Sequence, residues 1–143
     1  MIRKMNKTEY EIESIMQLWL KSTIKAHPFI SEDYWNSNYD VIKNKYIPLS
    51  EIYVYLENKF ILGFISVLNS EFIGALFVDV NNQGKGIGKK LIQHAMDIYG
   101  KLTLAVYKDN LQAVNFYKHI GFKVIREQSN EETNKIEYIM IKQ

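Results

Sequence analysis

The segment Leu76–Ala95, LFVDVNNQGKGIGKKLIQHA, begins as an apolar strand, passes three glycines at alternate positions (Gly84, Gly86, Gly88) and ends as a helix. Glycine allows a positive φ and lets a ligand approach the backbone without meeting a Cβ. At a helix start the first amide N–H groups have no intrahelical partner, and the helix dipole adds partial positive charge. A glycine-rich turn in this position predicts an anion site, most often for a phosphate, with Lys85, Lys89 and Lys90 adding charge. Two phosphate motifs do not fit. The P-loop needs Ser or Thr where Lys90 stands, and its glycine spacing is one residue longer. The dinucleotide fingerprint, G-x-G-x-x-G, needs its third glycine one residue later. The segment also holds no serine, no cysteine and no clustered acids to act as a nucleophile.

Working outward, EFIGALFVDV is too apolar for a half-exposed strand and is predicted to be central. Before it, EIYVYLENKFILGFISVL reads as a hairpin around Glu57-Asn58-Lys59. Further upstream, Thr8 with Glu11 forms a capping box for a helix that runs to about Lys25 and breaks at His27-Pro28. Ser31 caps a second, aromatic-rich helix, EDYWNSNYDVIKNKY, which is expected to stop before Pro48. After the glycines, Ile87, Leu91, Ile92, Ala95 and Ile98 mark the inward face of a third helix, ended by Gly100. KLTLAVYK is a strand, NLQAVNFYKHI a fourth helix followed by Gly121, and FKVIREQ and KIEYIMIKQ a final hairpin around SNEETN. The pattern is one mixed α/β domain spanning residues 1–143, with no internal repeat or linker.

Composition excludes several classes. The 143 residues carry a formal net charge of +2, too mild for a nucleic-acid partner. There is no cysteine, and the three histidines (His27, His94, His119) lack metal-ligand spacing, so no metal site is expected. The polar N-terminus lacks the apolar run of a signal peptide, and FILGFISVL is about half a membrane span. The expectation is a soluble, cytoplasmic protein without a membrane partner.

Gln83-Gly84-Lys85-Gly86-Ile87-Gly88 fits Q/R-x-x-G-x-G/A, and NLQAVNFYKHIGF fits N-x-x-A-x-x-F-Y-x-x-x-G-F through Asn110, Ala113, Phe116, Tyr117, Gly121 and Phe122. Both motifs, in this element order, resemble the GCN5-related N-acetyltransferase (GNAT) superfamily. The resemblance implies a central, twisted, mostly antiparallel sheet with a splayed pair of strands, β4–β5 in the family's scheme, flanked by four helices. It implies acetyl-CoA as co-substrate, its pyrophosphate on residues 83–89. It places the pantetheine arm along Leu76, Phe77 and Val78, with a bulge there that splays the strand, and implies contacts from Asn110, Ala113 and Tyr117. An activated thioester explains why no protein nucleophile is present, since an amine can attack it directly.

By the same resemblance the Val78 N–H polarises the thioester oxygen and Tyr117 protonates the departing thiolate; the alternative for Tyr117 is a core aromatic. The acceptor amine must also lose a proton: with a reference pKa near 10.4, only about one lysine-like amine in 2,500 is neutral at pH 7. By the resemblance, many relatives carry an acid on this strand near this place; here the residue before ALFV is Gly74, and the nearest acids are Glu71 and Asp79. His27, between the two N-terminal helices that line the family's acceptor side, is a candidate base, alternatively a helix cap; Glu71 is a second, alternatively a solvent-facing residue. Tyr34 and Trp35, with Trp19 and Tyr39, are candidate walls of an acceptor pocket or core aromatics. The acceptor stays open between a small-molecule amine and a protein or peptide amine. A non-catalytic acyl-CoA sensor on the same fold is the alternative function. The chain is expected to be a monomer or a homodimer, the dimer through an edge formed by KIEYIMIKQ.

Overall fold

The computed structural model describes residues 1–143. Seven strands, β1 (Ile2–Lys4), β2 (Glu51–Glu57), β3 (Phe60–Leu68), β4 (Phe72–Val78), β5 (Leu102–Tyr107), β6 (Lys123–Ser129) and β7 (Ile136–Lys142), form one sheet. Their order is β1-β2-β3-β4-β5-β7-β6, so β4 is central, as its apolar sequence predicts. All neighbouring pairs are antiparallel except β4 and β5, which are parallel. The four main helices are α1 (Glu9–Ala26), α2 (Glu32–Val41), α3 (Ile87–Tyr99) and α4 (Leu111–His119).

Alternating side chains give the sheet two buried faces. Tyr53, Ile65, Val67, Leu102, Leu104 and Met140 join Ile87, Leu91, Ile92 and Ala95 of α3 and Val114 and Tyr117 of α4 in one core. Ile52, Val54 and Phe64 point the other way, into a second core with Ile15, Met16 and Trp19 of α1 and Trp35 of α2. The β2–β3 hairpin closes through Asn58 (φ 51°) and Lys59 (φ 73°), two successive positive φ values that match the right-handed twist of the strands.

Five expectations need correction. The first element is not α1 but the three-residue β1, too short and polar to leave a periodic signal. It is tied to α1 by Arg3, whose guanidinium donates to both Glu11 carboxylate oxygens at 3.0 and 3.1 Å. Thr8 Oγ1 accepts the Glu11 N–H, as the capping box requires, but the Glu11 carboxylate accepts from the Asn6 N–H rather than from Thr8. The second helix does not stop before Pro48. It widens into a π-helical stretch (Ile42–Tyr46), then ends in a turn (Ile47–Leu49) that contains the proline. The wide turn, closed by Ile47 N–H on the Ile42 carbonyl, relieves the clash that Pro48 would make with the carbonyl four residues back.

On α3, Ile98 is 50% exposed; Met96 and Tyr99 take the last inward positions, and the Tyr99 hydroxyl bonds that of Tyr53 at 2.8 Å. Finally, β7 (within KIEYIMIKQ) is not an edge strand. It lies between β5 and β6, both its ladders filled, so the dimer edge expected there does not exist.

Glu11→Ala removes the partner of Arg3 and the acceptor of the Asn6 amide together. Its expected effect is a loss of about 1–3 kcal/mol in urea unfolding, without change in the m-value.

Candidate active site

The site begins where β4 leaves β5. A single ladder pair, Phe72 opposite Thr103, joins them, with the Thr103 N–H donating to the Glu71 carbonyl at 2.9 Å. In the β3–β4 ladder Ser66 faces Ala75 while Val67 faces Ile73, so Gly74 is the extra residue of a bulge. The bulge stands two residues before the Leu76–Val78 stretch to which the resemblance assigned it, at the point of divergence. A bulge bends its strand and breaks pairing locally, and here it turns β4 away from β5.

The consequence for the backbone follows from ladder alternation. Asp79 N–H donates to the Leu62 carbonyl at 2.7 Å, so residues 75, 77 and 79 bond β3. Leu76 and Val78 therefore direct their N–H and C=O groups toward the gap on the β5 side. The Val78 carbonyl there accepts from the Gln83 side-chain amide at 3.3 Å.

A cavity of about 870 Å³ fills the gap. One end is the glycine loop: Gln83, Gly84, Gly86, Ile87, Gly88 and Lys89 line it. Gly84 (φ 81°) and Gly86 (φ 80°) are left-handed, and a Cβ on either would meet no protein atom within 4 Å. The loop thus leaves open space above bare backbone, a cradle that fits a pyrophosphate, beside the partnerless first amides of α3. Lys89 is the only lysine or arginine along this cavity. Lys85 lies outside it, bonded to Asn82 Oδ1 at 3.0 Å, and Lys90 turns to the Tyr55 ring.

The middle of the cavity brings together Leu76, Phe77, Val78, Asn110, Ala113, Phe116 and Tyr117. Asn110 is the N-cap of α4, its Oδ1 accepting the Ala113 N–H at 3.3 Å. The Tyr117 side chain is buried against Phe116 and Phe122, as the core-aromatic reading requires. It also lines the cavity, its hydroxyl bonding no protein group. The two readings of Tyr117 are compatible. Burial pushes its phenol well above the usual range, so it holds its proton at neutral pH.

The far end is walled by Trp19, Thr23, His27, Tyr34 and Trp35. His27 is both helix C-cap and cavity residue. Its Nδ1 lies 2.7 Å from the Thr23 carbonyl, which can only accept, so Nδ1 carries the hydrogen and Nε2 keeps a lone pair. Nε2 in turn stands 3.4 Å from Asn110 Nδ2. Burial lowers the imidazole below its ordinary value, against a smaller opposing effect from the Thr23 bond. Tyr39 is absent from this wall and bonds Glu13 instead. Glu71 is also absent: it ends the closed side of the split, ion-paired with Lys101 at 2.9 Å. Gly74 lines the cavity with no side chain to offer.

Sequence reasoning missed Thr23, Asn38, Tyr107 and Glu132. Thr23 is signalled only by lying one turn before His27. Asn38 lies one turn after Tyr34 and donates to its carbonyl at 2.7 Å. Glu132, in the β6–β7 turn, accepts a hydrogen bond from the Tyr34 hydroxyl, 98 residues away in the chain. It lines a second cavity, of about 330 Å³, that shares Trp19, Tyr34, Asn38, Ile42, Gly74 and Ala75 with the first.

Comparison with known proteins adds the following. The sequence profile of the acetyltransferase (GNAT) domain matches residues 13–142. The chain is 34% identical over 140 residues to the peptidyl-lysine N-acetyltransferase YiaC of Escherichia coli (strain K12), covering 98% of this chain and 94% of that protein. It is 34% identical over 115 residues to the peptidyl-lysine N-acetyltransferase YjaB of the same strain, covering 80% of this chain and 77% of the relative. The solution structure of apo-form YjaB from Escherichia coli is similar, with a TM-score of 0.84 and 28% identity across 99% of this chain and 95% of that one. No helix is long and apolar enough to cross a membrane.

The depressed His27 pKa has a measurable sign. Below about pH 6.5 the unfolded chain takes up the His27 proton first, so stability is lost as pH falls through the lower folded value. Melting temperatures between pH 7.5 and 5 are expected to fall more steeply for the wild type than for His27→Gln. Equal slopes would remove His27 as the cause.

Proposed function

The chain belongs to the GNAT acetyltransferase family and is an acetyl-CoA-dependent N-acetyltransferase, and we propose that it acetylates lysine side chains of proteins. The observation that carries this reading is the continuous cavity from the glycine loop, through the β4–β5 gap, to the aromatic wall between α1 and α2. A lysine has a flexible four-carbon stem that prefers apolar walls and an amine that must reach the gap. Trp19, Tyr34 and Trp35 offer such walls. YiaC and YjaB, both named as peptidyl-lysine N-acetyltransferases, support the same acceptor class.

On this reading each residue of the cavity has a task. Gln83 to Lys89 hold the pyrophosphate on backbone N–H groups and the Lys89 charge. Leu76, Asn110 and Ala113 align the arm that runs through the gap, Leu76 by its backbone groups, while Phe77, whose backbone is paired with β3, lines the same cavity. Acetyl-CoA, when bound, supplies a thioester activated toward amines. The Val78 N–H, directed into the gap without a strand partner, stabilises the negative oxygen that develops during attack.

His27 accepts the proton that the acceptor amine must lose, on the Nε2 that the Thr23 bond keeps unprotonated. Its low affinity for protons keeps it neutral and ready at pH 7. Tyr117, which burial keeps protonated, gives its proton to the leaving sulfur, and the second proton, shed by the attacking nitrogen as the amide forms, restores the phenol. The C–N bond forms as the C–S bond breaks, within one ternary complex.

Tyr117→Phe should lower kcat about 10²–10⁴-fold and leave acetyl-CoA binding intact, read as an unchanged ligand-induced rise in melting temperature. Normal turnover in that variant would remove Tyr117 from the acid role. The acceptor class is tested with an N-terminally blocked peptide carrying one lysine. The expected result is a mass gain of one acetyl group and stoichiometric release of free thiol, all of it from CoA because the protein has no cysteine. Turnover of small amines with none of lysine peptides or intact proteins would overturn the protein-lysine reading.

A further inference from the structure

Across both cavities one carboxylate lines the walls, that of Glu132. It comes from the β6–β7 turn rather than from the elements that carry the acetyl-transfer residues. The turn is built to hold it. Asn130 Oδ1 accepts the backbone N–H groups of Glu132 and Thr133 at 3.0 and 3.2 Å, and Asn130 N–H donates to the Lys135 carbonyl at 2.8 Å. Asn130 also donates to the buried carboxylate of Glu137, which accepts from Gln128 at 2.7 Å. Thr133 Oγ1 donates to the Tyr107 hydroxyl at 3.4 Å, and the Tyr34 hydroxyl donates to Glu132 Oε2. Oε1 has no such partner. Burial, and then the Glu132 bond, push the Tyr34 phenol up, so Tyr34 remains the donor in this bond.

The charge distribution has a direction. The cation Lys89 stands at the glycine-loop end, and the anion Glu132 stands at the other, among apolar residues such as Ile42, Phe64 and Phe72. Tyr34, which lines both cavities, joins the two spaces. A lysine-type acceptor arrives in water almost wholly as an ammonium cation. We infer that Glu132, oriented by Tyr34, is the docking point for the acceptor's ammonium group: it takes the charged amine in the second cavity, beside the wall that Tyr34 shares with the first, before the amine gives up its proton in the gap. This rests on an amine acceptor and extends the reading above to a specificity-determining residue.

The test is binding of a single-lysine, N-terminally blocked peptide to CoA-loaded protein, together with the KM for that peptide, in Glu132→Gln. Glu131→Gln changes the net charge equally, on an exposed neighbour that lines neither cavity, and serves as control. Glu132→Gln is expected to weaken peptide binding and raise its KM about three- to tenfold, as for a partly exposed charge-assisted contact. The kcat and the KM for acetyl-CoA should stay within about twofold of wild type, since a rim charge acts on encounter. The difference should shrink in about 1 M salt, where screening is nearly complete. Tyr34→Phe should act in the same direction, and the double variant should be no worse than Glu132→Gln by more than about twofold. An unchanged peptide affinity in Glu132→Gln, or an equal loss in Glu131→Gln, overturns the inference. The same comparison with n-butylamine separates the two readings: if the wild type takes butylamine and no peptide, the protein-lysine reading fails while Glu132 is judged on butylamine. Failure of both amines to bind the CoA-loaded wild type overturns the docking role.

Discussion

One ladder pair between β4 and β5 is the constraint on which the rest of this molecule depends. Phe72 and Thr103 fasten two parallel strands at one end, and the bulge at Gly74 releases them immediately afterwards. A sheet opened at its centre exposes backbone N–H and C=O groups that a protein normally pairs. The fold tolerates this because β4 stays laddered to β3 on both sides of the bulge and β5 to β7 along its length, and because helices cover both faces. The groups of Leu76 and Val78 left over are those a ligand in the gap can use. The opening in the sheet and the binding surface are therefore one feature.

Burial acts on the two titratable residues of the gap in opposite directions and with one result. It raises the Tyr117 phenol and lowers the His27 imidazole, so each is held in its uncharged form. An uncharged phenol is a proton donor and an uncharged imidazole is a proton acceptor, which is the pairing that aminolysis of a thioester calls for. Separate aromatic surroundings set up this pair by desolvation: Phe116 and Phe122 around Tyr117, and Phe29, Trp35 and Tyr107 around His27.

The parts of the site that were legible in the sequence are those encoded by neighbours in the chain. The glycine loop and the helix that carries Asn110 and Tyr117 each lie within about a dozen residues, and both elements stand where the spacing predicts; that Asn110 caps its helix is learned from the structure. The hairpin at Asn58-Lys59 was legible for the same reason. What was not legible depends on residues far apart. The Tyr34–Glu132 bond spans 98 positions, β1 exists only because β2 is there to pair with it, and the bulge at Gly74 is a property of register between two strands. Composition misled at the C-terminus: an apolar last strand reads as well for an interior position as for an edge, and only the order β5-β7-β6 decides between them. Glu71, an acid in the right stretch of chain, is drawn to Lys101 at the closed end of the split, a pairing no spacing rule reveals.

The sheet divides the hydrophobic interior into two clusters, one holding α3 and α4 and the other α1 and α2. The two clusters share no member, and substitutions at sites without shared partners usually add independently. The glycine loop and Tyr117 draw on the first cluster, and His27 and Trp35 on the second. On the function proposed above, a lineage can therefore rebuild the α1–α2 layer, and with it the range of amines admitted, while inheriting the opposite layer unchanged. The division makes the molecule modular within a single sheet: acceptor choice can drift under selection without reopening the question of how the acetyl donor is held.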